Sequence, residues 1–193
     1  MALSPAQMGT AILRNLEAKT GHGLAHWLDV LHASGAVDAR AGRDALKAAG
    51  LGHFQAAKVW EVSRGDDPYA DPGALVDALF PAGPARAAYE AFAETCRSLG
   101  DDVAARPCRT YVPFYAARQF AVAKPGAAPG ALRVGVALAG GALGDGLARA
   151  GGLTSAAGLG APERIAHAFE VDGALTPAHV AVLAEAYRRN AHP

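Results

Sequence analysis

The chain has 193 residues, with Lys plus Arg and Asp plus Glu both at 18 and an apolar content of 51%. That suffices for one large or two small packed cores, and the balanced charge supplies no long-range field to gather nucleic acid or an anionic membrane. The start, Met1-Ala2-Leu3-Ser4-Pro5, has neither a basic region nor an apolar run of the secretory kind, and no later stretch reaches the roughly 18 uninterrupted apolar residues of a spanning helix. A cytoplasmic location is expected, with no membrane partner. Cys96 and Cys108 lack C-x-x-C spacing and are expected to stay thiols. Abundant Ala, Gly and Arg beside little Lys points to a GC-rich bacterial genome.

Taken in order, residues 1–65 predict a small module of four helices. Ser4-Pro5 supplies an N-cap and a first-turn proline, after which Met8, Ile12, Leu13 and Leu16 recur at helical spacing until Lys19-Thr20-Gly21. A second helix is predicted from about Leu24 to Ala33 with Leu24, Trp27, Leu28 and Leu31 on one face, and a third from about Ala39 to Ala49, closed by Gly50. The fourth, from about His53 to Ser63, has Phe54, Ala57, Val59 and Trp60 to bury. Residues 66–73 concentrate Asp, Pro and Gly and read as a linker.

Residues 74–193 read as an α+β domain with a mostly antiparallel sheet and flanking helices. Helices are predicted near Ala74 to Leu79, from Pro84 to Leu99 and from about Pro177 to Arg189. Strands are predicted over Thr110 to Tyr115, Gln119 to Lys124, Ala131 to Ala139 and Arg164 to Val171. Between Gly140 and Pro162 lies a Gly- and Ala-rich connection, in which Asp145 to Arg149 suits a helical turn; connections of that length are usually either mobile or functional. Alternation along the strands suggests a sheet with one bulky face (Phe120, Val122, Leu132, Val134, Val136, Leu138, Ile165, His167, Phe169, Val171) and one face of Ala and Gly.

Several residues resemble known families. Lys19-Thr20-Gly21, Trp27-Leu28, and Gly50-Leu51-Gly52-His53 before Ala56 resemble the domain-of-unknown-function family 4287. From Tyr89 to Tyr187 the chain resembles domain-of-unknown-function family 5655, through Leu99-Gly100-Asp101-Asp102-Val103, Thr110-Tyr111-Val112, Gln119-Phe120-Ala121 and Ala186-Tyr187. The second family carries the loose label of a predicted transport protein, and both resemblances imply a fold more than an activity. Two departures stand out: Gln55 occupies the place of a frequent second histidine, and His167 is followed by Ala168 instead of a basic residue.

No catalytic constellation is expected, because G-x-S-x-G, a Walker lysine loop and G-x-G-x-x-G are all missing. His22, His26, His32 and His53 have no carboxylate or thiol completing a ligand set, so no metal and no cofactor are expected. A thiol–base pair of Cys108 and His167 has nothing in the sequence to bring it together. The sequence therefore reads as a non-catalytic binding or accessory protein, its ligand an unassigned small molecule. If the small-residue face is concave, Tyr111, Tyr115, Arg118, Gln119 and Arg133 would give it polarity, with the Gly-rich segment as a cover. The alternative is a nucleic-acid-associated protein in which Gly50, Gly52, His53 and Lys58 hold a phosphate at a hairpin-like glycine turn. It is opposed by the scarcity of Lys and Arg nearby. An uncharacterised enzyme is the third reading, and the oligomeric state is open.

Overall fold

The computed structural model of the chain describes residues 3, 5–65, 69–138, 143, 145–159 and 163–192. It divides into two units, Leu3–Ala70 and a second from Asp71 onward.

In the first unit the helices are α1 (Pro5–Arg14), α2 (Leu16–Thr20), α3 (Leu24–Ala33), α4 (Ala39–Ala48) and α5 (His53–Ser63). The single helix expected from Pro5 to Thr20 breaks at Asn15, whose φ of −92° and ψ of 4° leave the helical region, so among the described residues five helices stand where four were expected. Asn is a poor helix former because its amide competes with the backbone. The break carries Leu16 into a fully buried position beside Trp27, Leu31, Leu46, Leu51, Ala56 and Val59. Helix α2 ends at Gly21 in the left-handed region, φ 77°, where its N–H donates to the Glu17 carbonyl. Just before it, the Thr20 hydroxyl donates to the Leu16 carbonyl, and the Trp27 indole N–H points at both Thr20 Oγ1 and the His22 carbonyl, each at 3.2 Å. Helix α4 starts at Asp38, whose carboxylate accepts from the Arg40 and Ala41 amides, a cap worth about 1 kcal/mol.

The second unit is α+β. Helix α6 (Pro72–Leu79) starts inside the segment expected as a linker: the Asp71 carboxylate accepts from the Gly73 and Ala74 amides, and Pro72 needs no amide partner in the first turn. Residues 66–68 of that linker lie outside the described residues. Then follow α7 (Pro84–Ser98), β1 (Ala104–Ala105), β2 (Val112–Tyr115), β3 (Gln119–Pro125), β4 (Leu132–Val136), α8 (Asp145–Ala150), β5 (Thr154–Ser155), β6 (His167–Val171) and α9 (Pro177–Asn190). The strands form one antiparallel six-stranded sheet in the order β1-β2-β3-β4-β6-β5. Of the Gly-rich connection 140–162, residues 140–142, 144 and 160–162 lie outside the described residues; the remainder holds α8, β5 and a segment packed on the sheet.

The register corrects the expected division of faces. Ala121 pairs with Val136 and Ala123 with Val134, while Val122 pairs with Gly135 and Gly135 in turn with Ala168. Cross-strand partners share a face, so small residues of β3 sit among bulky residues of β4 and both faces are mixed. One face carries Ala121, Ala123, Val134, Val136, Phe169 and Val171 into the main core with Phe80 of the α6 end, Phe92 of α7 and Leu183 of α9. Onto the other face, around Val122 and Ala168, pack Ala156, Leu159 and Ile165 from the segment between α8 and β6. Around Gly135 no concavity is open, and the sheet is closely packed there, by the segment before β6 instead of a helix: a Cβ on Gly135 would stand 2.5 Å from Ile165 Cγ2.

Candidate functional site

The five residues expected to give the sheet a polar site do not converge. Tyr115, Arg118 and Gln119 lie at the β2–β3 hairpin, where Tyr115 pairs with Gln119. The Tyr115 ring carries the Arg106 guanidinium 4.6 Å from its centroid, and Arg118 donates to the Arg189 carbonyl at 3.2 Å. Gln119 is buried. Arg133 pairs with Lys124 of β3, five residues along the strand from Gln119, which is about 16 Å at the usual rise. It bonds Glu170 at 3.0 Å and the Ser155 carbonyl at 3.1 Å, while its buried Nε has no hydrogen-bond partner among the described residues. Tyr111 packs against the Val122, Ile165 and Ala168 cluster. These side chains brace the sheet at separate places.

The glycine turn is also differently employed. Gly50 takes φ 115°, and the Leu51 amide donates to the Leu46 carbonyl, which drives the Leu51 side chain into the core. Gly52 is the N-cap of α5, and its own N–H is taken by Gln55 Oε1 at 2.9 Å. The His53 ring stands edge-on to Phe54 at 5.4 Å. Lys58 is turned away from the role expected of it: its residue is only 6% exposed, and its ammonium lies against α1. Gly9 makes the room, since a Cβ there would come 2.9 Å from Lys58 Cε and 3.1 Å from Nζ.

Gly52, His53 and Lys58 share instead a groove between α1 and α5, with a volume of about 720 Å³. Its α5 wall is the stripe Phe54, Ala57, Lys58 and Glu61, at helical i, i+3, i+4 and i+7 spacing. The opposite stripe, Ala56 and Val59, faces the core, so α5 is apolar on two sides. Met8, Gly9 and Ile12 form the α1 wall, Leu3 and Tyr69 add to the lining, and Asn15 and Lys19 continue it beyond α1. Three large apolar residues stand at the opening with much of their surface in water: Leu3 at 53%, Met8 at 48% and Phe54 at 75%. Such a gathering of exposed apolar surface around a concavity is the usual form of a ligand or partner site.

On the groove floor the Lys58 ammonium meets the Glu61 carboxylate at 3.4 Å, a long separation for a charge-assisted contact. Among the described residues no group of three or more His, Cys, Asp or Glu side chains is placed to hold a metal. His22 and His26 stack on each other at 4.0 Å beside Trp27. Burial pushes the Cys108 thiol up, and it donates weakly to the Arg106 carbonyl at 3.6 Å, away from the character of a reactive nucleophile. The sequence reading missed the groove because Met8, Phe54 and Ala57 were assigned to a helix interior; the available signal was the second apolar stripe of α5.

The motif residues quoted for the two resemblances serve the fold. Thr20, Gly21 and Trp27 tie α2 to α3 as described above. In the second unit Tyr187 donates to Asp102 Oδ1 at 2.7 Å across Gly100, where a Cβ would stand 2.0 Å from the Tyr187 hydroxyl. The Gly100-Asp101-Asp102 run and the terminal Tyr187 are thus one clasp between the end of α7 and α9.

Residues 76–190 match the model of the family described as Domain of unknown function (DUF5655), and the chain belongs to that family. The match begins beyond every residue of the α1–α5 groove. No curated protein and no solved structure matches the chain.

Proposed function

We propose that this DUF5655-family chain is a non-catalytic binding or accessory protein of the bacterial cytoplasm, and that its small-molecule site is the groove between α1 and α5. One observation carries the reading: a concavity of about 720 Å³, within the range usual for small-molecule sites, is bordered by exposed Leu3, Met8 and Phe54. The sheet, where the ligand was first expected, has both faces packed around β3 and β4. Kinship of the helical unit with family 4287 is part of the proposal, supported by Thr20, Gly21, Trp27, Leu51 and Ala56, each of which holds a turn or a core position.

Nucleic-acid contact at the glycine turn draws less support. Lys47 is held by Asp44 at 2.6 Å and Lys58 is buried, which leaves the turn short of the several phosphate contacts that nonspecific affinity requires. The test is titration with the neutral apolar dye N-phenylnaphthylamine, on the natural chain and on Ala57→Trp, which fills the groove from the α5 wall. Saturable dye binding that disappears in A57W, with the melting curve retained, is the expected result. Absence of binding to the natural chain, or binding indifferent to A57W, rejects the groove as the site.

A further inference from the structure

Resting on that reading of the groove, we propose that Met8 is an oxidation site at its mouth, and that conversion of the thioether to the sulfoxide by hydrogen peroxide weakens the hold of the groove on an apolar ligand. Met8 is 48% exposed on the α1 wall of the concavity that Phe54 borders from α5. It stands one turn before Ile12, which lines the same wall, so an oxygen added to Met8 enters the surface that a bound molecule covers. The other sulfur atoms of the described residues are less open to attack. Cys96 is fully buried, and burial pushes both its thiol and the half-buried Cys108 thiol up, away from the reactive thiolate. A thioether has no proton to lose before it reacts, so access alone governs Met8.

The step is a two-electron oxidation. The Met8 sulfur donates a lone pair to one peroxide oxygen, an S–O bond forms as the O–O bond breaks, and the second oxygen leaves as water once it has taken the proton of the first. A flexible apolar side chain thereby becomes a polar, chiral one. In the open groove its new oxygen accepts hydrogen bonds from water. Under an apolar ligand it loses them, and a polar group covered without a partner costs enough to weaken binding about tenfold. Thiol-dependent reduction of the sulfoxide restores the thioether, so the change is reversible.

The experiment treats the full chain with hydrogen peroxide at about pH 6, where thiols stay protonated, and locates the added oxygen by peptide mass spectrometry. Affinity for N-phenylnaphthylamine is measured before oxidation, after it, and after methionine sulfoxide reductases have acted. Met8 should gain its oxygen ahead of either cysteine, dye affinity should fall about tenfold with the melting curve retained, and the reductases should restore it. In Met8→Leu, whose side chain has no sulfur, peroxide should leave the variant's dye affinity where it stood before treatment. An affinity unchanged by the Met8 sulfoxide overturns the inference, as does a loss that Met8→Leu shares, that the reductases do not reverse, or that comes with a collapsed melting curve. Oxidation of Cys108 ahead of Met8 overturns it too. Because the dye is titrated before any oxidant is added, failure of the groove reading shows as absent binding in the untreated chain and is told apart from failure of the oxidation site.

Discussion

Gly135→Ala tests the sheet register at its most crowded point. The added Cβ would lie 2.5 Å from Ile165 Cγ2, 2.8 Å from Val122 Cγ1 and 3.2 Å from Leu159 Cδ1. Carbon atoms prefer about 3.5–4.0 Å, so these fall short by about 1.0, 0.7 and 0.3 Å. All three neighbours are fully or almost fully buried, with no solvent to retreat into. Overpacking of this kind costs about 1–3 kcal/mol, and the lower entropy of an unfolded chain with Ala in place of Gly returns about 0.4–1 kcal/mol. The variant is therefore expected to be about 1–2 kcal/mol less stable in urea unfolding followed by circular dichroism. A double-mutant cycle sharpens the test: Val122→Ala vacates part of the space, so G135A/V122A should be about 1 kcal/mol more stable than the sum of the single losses. Wild-type stability for G135A, or strict additivity in the cycle, would refute the placement of Val122 opposite Gly135.

Three further outcomes are expected. Gly42→Ala would put a Cβ 2.2 Å and 2.3 Å from two ring atoms of Trp60, so despite a helix-propensity gain of about 1 kcal/mol it should lower stability by up to about 2 kcal/mol and alter tryptophan emission; an unchanged spectrum contradicts this. His179 accepts the Thr176 N–H on Nδ1 and stacks on Phe169 at 4.5 Å, and burial holds its titration below the usual imidazole value of about 6.5. Between that depressed value and about 6.5 the unfolded chain binds more protons, so its contribution to stability is present above about pH 6.5 and is lost as pH falls through the folded value; an NMR midpoint at or above 6.5 contradicts it. Burial pushes the Cys96 thiol far up, whereas Cys108 is half-buried, so a thiol reagent should label Cys108 first in native protein and Cys96 only on unfolding; native labelling of Cys96 at the unfolded rate contradicts it.

Local signals made much of the fold legible. Gly21 and Gly50 announce helix ends, Pro84 and Pro177 announce helix starts, and alternation marks β2, β3, β4 and β6. Asp71-Pro72 was equally a start signal, but the surrounding acids and glycine made it resemble a linker. The two-residue strands β1 and β5 are too short for any period to show. Pairing was the larger loss: alternation says which residues of one strand share a face, whereas Ala123 beside Val134 and Val122 beside Gly135 are set by register between strands. The groove was hidden for a related reason. Phe54 and Ala57 carry the same hydrophobicity as Ala56 and Val59, and only tertiary packing decides which stripe of α5 meets the core and which meets α1. Likewise, nothing local announces that Lys58 lies against Gly9, a contact between residues far apart in the chain.

The claim that the α1–α5 groove receives a ligand is tested most directly by mapping backbone amide shifts of the full chain during titration with N-phenylnaphthylamine. The account predicts perturbations gathered at Met8, Gly9, Ile12, Phe54, Ala57 and Lys58, saturating together. Shifts gathered instead at Tyr111, Tyr115, Arg118, Gln119 and Arg133, or none at the groove while the dye raises the melting temperature, would contradict it.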